Sequence, residues 1–147
     1  MMKNITKEII VESTTQIEFA DITDQVAEIV ESSGIRNGIV LVYAPHTTMS
    51  ITINHSESML VQDFMRMLYR IVPVDDQYSH DLFELRRDRK ADGRSNGHSH
   101  CKALLLGTSE SIPIQKGKML LSELQNIFAV DFDGARKRNI TVYIQGE

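Results

Sequence analysis

Three short histidine segments hold most of the chemistry this chain can offer. Ala44-Pro45-His46-Thr47-Thr48 ends one apolar run and precedes another, Ile51-Thr52-Ile53-Asn54. Tyr78-Ser79-His80-Asp81 lies in a polar, charged stretch, and Asn96-Gly97-His98-Ser99-His100 runs straight into the apolar residues Cys101 to Leu106. Imidazole is the commonest protein ligand for zinc and similar ions, and a catalytic metal site uses about three protein ligands plus an open position. Histidines set where loops meet buried strands can converge on such a site. An otherwise ordinary acidic domain would then be a metalloenzyme.

Each histidine has a plainer reading beside that one. Pro45 stiffens the chain before His46, and Thr47 and Thr48 offer hydroxyls that can bond a ligand oxygen or orient the ring. Equally, His46 can be a loop histidine bonded to nearby backbone. His98 and His100 are two residues apart, so an extended segment would point them the same way. Both could then bind one ion, or one could bind while the other relays protons; His98 can also be a plain exposed loop residue. His80 is weak when taken alone, and His55 reads as surface. Cys101 could ligate or attack, but a lone cysteine opening an apolar stretch is better explained by core packing. No HExxH, no CxxC pair and no phosphate-binding glycine loop occurs.

The elements that must position these residues follow from pattern. Glu8 to Val11 and Gln16 to Phe19 read as short strands around a Ser13-Thr14-Thr15 turn. Asp21 or Thr23 caps a helix whose Ile22, Val26, Ile29 and Val30 share a face, and Gly34 stops it. Gly38 to Tyr43 is a buried strand, and Ser50 to Asn54 alternates so that Ile51 and Ile53 point to one side. A second helix runs from about Ser56 to Ile71, with Leu60, Phe64, Met67, Leu68 and Ile71 at helical spacing and Pro73 closing it. Its methionines read as a core face. Val74 to Ser99 is polar and aperiodic, and because two histidine segments bracket it we read an active-site loop. Strands are expected at Lys102 to Leu106, Glu110 to Ile114, Met119 to Leu121, Asn126 to Phe132 and Ile140 to Gln145. Tight turns fall at Gln115-Lys116-Gly117-Lys118 and Asp133-Gly134. The expected fold is a single α+β domain, residues 1–147, with a mainly antiparallel β-sheet or sandwich and two main helices.

Composition narrows the function classes. The 147 residues suffice for one core without disulfides, and the single cysteine rules out an internal one. The net charge of -4 argues against a broad nucleic-acid face. Leu85-Arg86-Arg87-Asp88-Arg89-Lys90 is locally basic but interleaved with acids; a solvated loop is the plainer reading, a subunit contact or a substrate-phosphate site the sharper one. Met1 to Thr15 has no hydrophobic core of the signal-peptide kind, and no run reaches membrane-spanning length. A cytoplasmic location is expected.

The ordered segments Pro45-His46-Thr47-Thr48, Ile51-Thr52-Ile53-Asn54, Asn96-Gly97-His98-Ser99-His100, Leu105-Leu106-Gly107-Thr108-Ser109, Ile112-Pro113, Phe132-Asp133-Gly134-Ala135-Arg136 and Gln145-Gly146-Glu147 carry a resemblance over essentially the whole chain. Together they resemble the YjbQ family of small proteins, also called the secondary thiamine-phosphate synthase family. The resemblance implies a compact α+β fold, a homotrimer or hexamer, and a metal-associated site whose histidines map onto His46, His80 and His100. Position 98 differs among relatives, which sets His98 behind the other three. The implied activity is a weak thiamine-phosphate synthase reaction, joining a hydroxymethylpyrimidine diphosphate to a thiazole phosphate with release of pyrophosphate. One departure stands out. Relatives commonly carry Gly-Thr-Trp-Gln-Gly where this chain has Ser122-Glu123-Leu124-Gln125-Asn126, and Leu124 cannot stack on a flat ring as Trp would.

The leading expectation is therefore a cytoplasmic, oligomeric enzyme. His46, His80 and His100, with His98 behind them, would hold a divalent metal, zinc being the expected ion. Thr47, Thr48 and Asn54 would position a small, phosphorylated substrate, Arg136 or the basic loop would neutralise its phosphate, and Glu57 would transfer protons. The rival classes are a non-catalytic metal or small-ligand binding protein, and a structural oligomer whose histidines satisfy hydrogen bonds at subunit contacts.

Overall fold

A computed structural model describes residues 1–86 and 93–147; Arg87 to Lys90 of the basic run lie outside the described residues. In chain order the elements are β1 (Lys3–Glu12), β2 (Glu18–Asp21), α1 (Thr23–Ser32), β3 (Asn37–Tyr43), β4 (Met49–Asn54), α2 (Ser58–Ile71), α3 (Gly97–Leu106), β5 (Ser109–Gln115), β6 (Lys118–Met119), β7 (Asn126–Asp131) and β8 (Lys137–Gly146). Two short 3-10 turns, Ser79–Asp81 and Phe83–Leu85, precede α3. The strands form two antiparallel sheets, ordered β1-β8-β3-β5-β6 and β2-β7-β4.

The alternation along β7 explains how the layers stack. Successive strand residues face opposite sides, and Ile127 and Ala129 join the core between the sheets, with Val40 and Val42 of β3 and Val142 and Ile144 of β8. Phe128 and Val130 face the other way, onto Leu68 of α2 and Ala103 of α3. The small sheet is thus buried on both faces, which is why the sequence from Ile127 to Phe132 is nearly all apolar. Val26 and Val30 of α1 close the inter-sheet core. The α+β, mainly antiparallel expectation holds. The Lys116-Gly117 turn also holds: Gln115 pairs with Lys118, and both loop residues have positive φ, 53° and 83°.

The third helix is a correction. Lys102 to Leu106 is not a strand but the second half of α3, whose first turn holds His98 and His100. A five-residue apolar run cannot by itself distinguish strand from helix. Here the usual polarity is also inverted, because the buried positions are Gly97, His98, Ser99, Lys102 and Ala103, while Leu104 is 86 % exposed. Cys101 falls on the outer side and is exposed rather than packed in the core. The long loop is correspondingly shorter than expected, since its last residues begin the helix. The turn after β7 also differs from a hairpin, because β7 and β8 belong to different sheets. None of the helices among the described residues is long and apolar enough to cross a membrane.

Candidate functional site

One cavity of about 730 Å³ opens where the loop after β3, the turn before α3, the first turn of α3 and the β7–β8 connection meet. His46, Thr47, Thr48, His80, His100 and Arg136 all line it. Three distant segments of sequence are therefore gathered on one wall. The His80 and His100 rings meet edge to face with centroids 4.6 Å apart. His100 also bonds to the Thr47 backbone, which links it to the segment of His46. Burial, then the neighbouring His80, push the His100 pKa below the ordinary imidazole value, so it sits neutral at pH 7.

His46 is oriented by its own backbone contact, with Nε2 2.9 Å from the Asn139 carbonyl oxygen. That carbonyl can only accept, so Nε2 carries the proton and Nδ1 is the nitrogen left for a ligand. The plainer reading of His46, a backbone-bonded ring, is realised in one nitrogen only. Among the described residues, no three His, Cys, Asp or Glu groups lie close enough to hold an ion. The histidines share a cavity without being closed into a ligand set.

Helical geometry sends His98 elsewhere. Two residues on a helix differ by about 200° around the axis, and His98 lies fully buried off the cavity while His100 lines it. Its Nδ1 faces Lys102 Nζ at 2.8 Å and its Nε2 faces the Gln16 side chain at 3.3 Å. With both ring nitrogens engaged inside the protein, none remains for a metal. Asn54 and Glu57 are also outside the cavity lining. Asn54 accepts the His55 N–H, and Glu57 caps α2 by accepting from Met59 and Leu60. A carboxylate committed to a helix N-terminus is a structural cap. Of Ser122 to Asn126, the departure from the family pattern, the first four are exposed and Asn126 is half-buried, and none lines this cavity.

The floor is an ion-pair network that sequence reasoning missed. Arg138 and Asp131 are both buried and meet through two hydrogen bonds, Nη2 to Oδ1 at 2.8 Å and Nε to Oδ2 at 3.0 Å. Arg138 also donates to Thr48 Oγ1 at 2.7 Å, and Ser13 Oγ donates to Asp131 at 2.8 Å. Thr48 is therefore tied down by an arginine rather than held free for a substrate. Asp133 receives Arg94 at 2.8 Å, Asn96 Nδ2 at 2.9 Å and Arg136 at 3.2 Å. Burial alone would raise its pKa, but bonds from Arg94 and Asn96 and the charges of Arg94 and Arg136 outweigh that and hold it below the usual carboxylate range. The available signal was Asp131 inside an apolar strand, answered by Arg138 seven residues downstream, and Asp133 answered by Arg136 three residues on.

A family model described as UPF0047 protein YjbQ-like matches residues 7–147. The chain belongs to that family. A UPF0047 protein of Methanothermobacter thermautotrophicus is 39% identical over 99% of this chain and 95% of its own length. The UPF0047 protein YugU of Bacillus subtilis is 31% identical over 92% and 96%. Among solved structures, a YbjQ-like protein of unknown function from Sulfolobus solfataricus superposes with a TM-score of 0.91 at 36% identity, over 100% of both chains. An uncharacterized conserved protein of the YjbQ/UPF0047 family from Clostridium acetobutylicum gives 0.82 at 34% identity, over 94% and 98%. The YjbQ-like fold is thus common to full-length relatives, and the chemistry must be argued from the cavity itself.

Proposed function

We propose that this YjbQ-like protein is a metal-associated enzyme acting on a small phosphorylated substrate. The observation that carries the reading is the convergence of His46, His80 and His100, from three separate segments, on one cavity also lined by Arg86, Arg136 and Arg138. Imidazoles beside guanidinium groups suit a cation and an oxyanion held together. The donor chemistry fits a zinc-type ion: His100 is neutral, the ligating form, and the His46 ring is fixed with Nδ1 available. His46, His80 and His100 are not yet spaced to hold the ion and would have to draw together around it; bound there it would supply Lewis acidity toward a phosphate oxygen or a more acidic water.

The protein's own groups account for orientation. Arg136 is half-exposed and bonded to Asp133 through one Nη1 contact, which aims a planar donor array at the cavity. Arg138 gives Nε and Nη2 to Asp131 and Thr48, so it shapes the potential and holds the wall rigid. The volume falls within the roughly 300–1,000 Å³ of small-molecule sites. A thiamine-phosphate-synthase-like transfer, with pyrophosphate leaving, is the reaction the family resemblance favours, and an anion-binding wall supports it. Pyrophosphate release from hydroxymethylpyrimidine diphosphate and thiazole phosphate by the zinc-supplied protein tests it. A rate above buffer that disappears in His100→Ala is expected.

The second reading, a non-catalytic metal or small-ligand binding protein, rests on Asp133. It is the sole carboxylate in the described lining, and its ion pairs keep it from carrying a proton at neutral pH. Saturable binding of either phosphate with no turnover would select that reading.

A further inference from the structure

Asn96 sits at the N-cap position of α3, where an asparagine oxygen ordinarily accepts a backbone N–H of the first turn. Here its side chain makes no such bond. The Ser99 and His100 N–H groups go to the Asn96 backbone carbonyl, and the Gly97 N–H goes to Asp81. Instead Asn96 Nδ2 donates to Asp133 Oδ2 at 2.9 Å. That carboxylate is ionised and can only accept, so the reversed amide would oppose two oxygens and is disfavoured. Oδ1 is therefore the amide atom turned away from Asp133. It is buried, with Asn96 only 7 % exposed, and it has no donor among the described residues. A buried acceptor left without a donor loses its hydration for nothing in return, so such atoms in a binding site point to what the site receives. Asn96 also lines the cavity, whereas His55, the other described residue with an unpartnered buried atom, does not.

We infer that Asn96 Oδ1 accepts a hydrogen bond from the bound molecule, making this cavity selective for a small oxyanion that carries an O–H or N–H donor a few bonds away. The spacing follows from Asp133. Its Oδ2 accepts from both Asn96 and Arg136, at 2.9 and 3.2 Å. The oxyanion-binding guanidinium and the donor-reading amide are thereby pinned to one atom, and only a short ligand bridges them. This rests on the oxyanion role of the cavity proposed above, and adds to it a requirement on the rest of the substrate.

Calorimetric titration of the full chain with inorganic phosphate, 2-hydroxyethyl phosphate and 2-methoxyethyl phosphate at pH 8 tests it. The two esters differ in one donor, and near that pH their own phosphoryl groups, whose second pKa is about 6, bring no proton. The hydroxyl ester should bind about tenfold more tightly than its methyl ether, the factor given by about 1.4 kcal/mol. In Asn96→Leu, which keeps the side-chain volume, that preference should fall to about equal affinity while inorganic phosphate still binds. Equal affinity of the esters for the unaltered chain overturns the inference whether or not the variant folds, and so does a preference that survives in Asn96→Leu. If inorganic phosphate and both esters all fail to bind, the oxyanion reading falls and takes this one with it; phosphate binding without the preference sinks this one alone.

Discussion

The Asp81 carboxylate accepts the Gly97 N–H at 3.0 Å. Through that bond the turn carrying His80 is fastened to the helix carrying His100. Asp81 thereby serves one of the orphan donors at the N-terminus of α3 and places a negative charge where the helix dipole favours it. Gly97 is needed for the same approach, because a Cβ there would lie 2.5 Å from the Tyr78 Cβ. Gly97→Ala is expected to push the Tyr78–Asp81 turn away, costing about 1–3 kcal/mol in urea unfolding. Nuclear Overhauser contacts between the His80 and His100 rings should weaken with it. A variant of unchanged stability that keeps those contacts would show that the turn is held by something else.

Arg138 and Asp131 form a buried pair, and removing one partner strands the other. Arg138→Met should destabilise the fold by about 3–5 kcal/mol, as breaking buried pairs does. Because Thr48 loses its bond at the same time, the cavity wall should loosen as well. Denaturant midpoints measure the first effect and amide exchange around Thr48 the second. A loss of under about 1 kcal/mol, the range of exposed ion pairs, would mean that the pair is solvated.

Lys102 is fully buried with His98 Nδ1 as its partner, and burial pushes its pKa from 10.5 down to about 8. Between those values the unfolded chain holds a proton on Lys102 that the folded chain has released. Its contribution to stability therefore increases from pH 8 to 10.5, by at most about 1.4 kcal/mol per pH unit. Below pH 8 the cost of burying the ammonium is present in full. Lys102→Met should remove this upward slope, read from urea midpoints between pH 7.5 and 10 in both proteins. Identical slopes would place the charge in contact with water.

How much of this was legible in the sequence depended on which residues kept their usual places. The β-strands and α1 were readable because Val26, Val30 and the alternating isoleucines of β4 obey ordinary periodicities. His46, His80 and His100 were readable as chemistry-bearing types, and they do share a cavity. Helix α3 was not readable, because Lys102 and His98 occupy its buried face while Leu104 and Leu105 occupy its exposed one. That inversion also hid the divergence of His98 from His100. Asp131, Asp133 and Arg138 escaped notice because an acid inside an apolar strand does not say which cation answers it, least of all when the two lie on strands of different sheets, as Asp131 and Arg138 do. Glu57 drew attention by its nearness in sequence to His46, yet its oxygens are taken by the N-terminus of α2.

The acidic groups of the floor lead to a prediction about the cavity's sign. Asp133→Asn removes the charge that Arg94 and Arg136 share, so the cavity should become more positive. Inorganic phosphate should then bind several-fold more tightly, with an affinity that falls more steeply with salt. Weaker binding at every salt concentration would show that Asp133 matters for holding the arginines in place more than for setting the charge.

Zinc binding measured by calorimetry on the full chain, beside His46→Ala, His80→Ala and His100→Ala variants confirmed as folded by circular dichroism, tests the central claim most directly. Shared ligation predicts one ion per chain for the unaltered protein and at least about a tenfold loss of affinity in each variant, as removing a ligand should cost no less than removing one of its outer-shell supports. Undiminished binding in the His46→Ala or His100→Ala variant, or no binding by the unaltered protein, would contradict it.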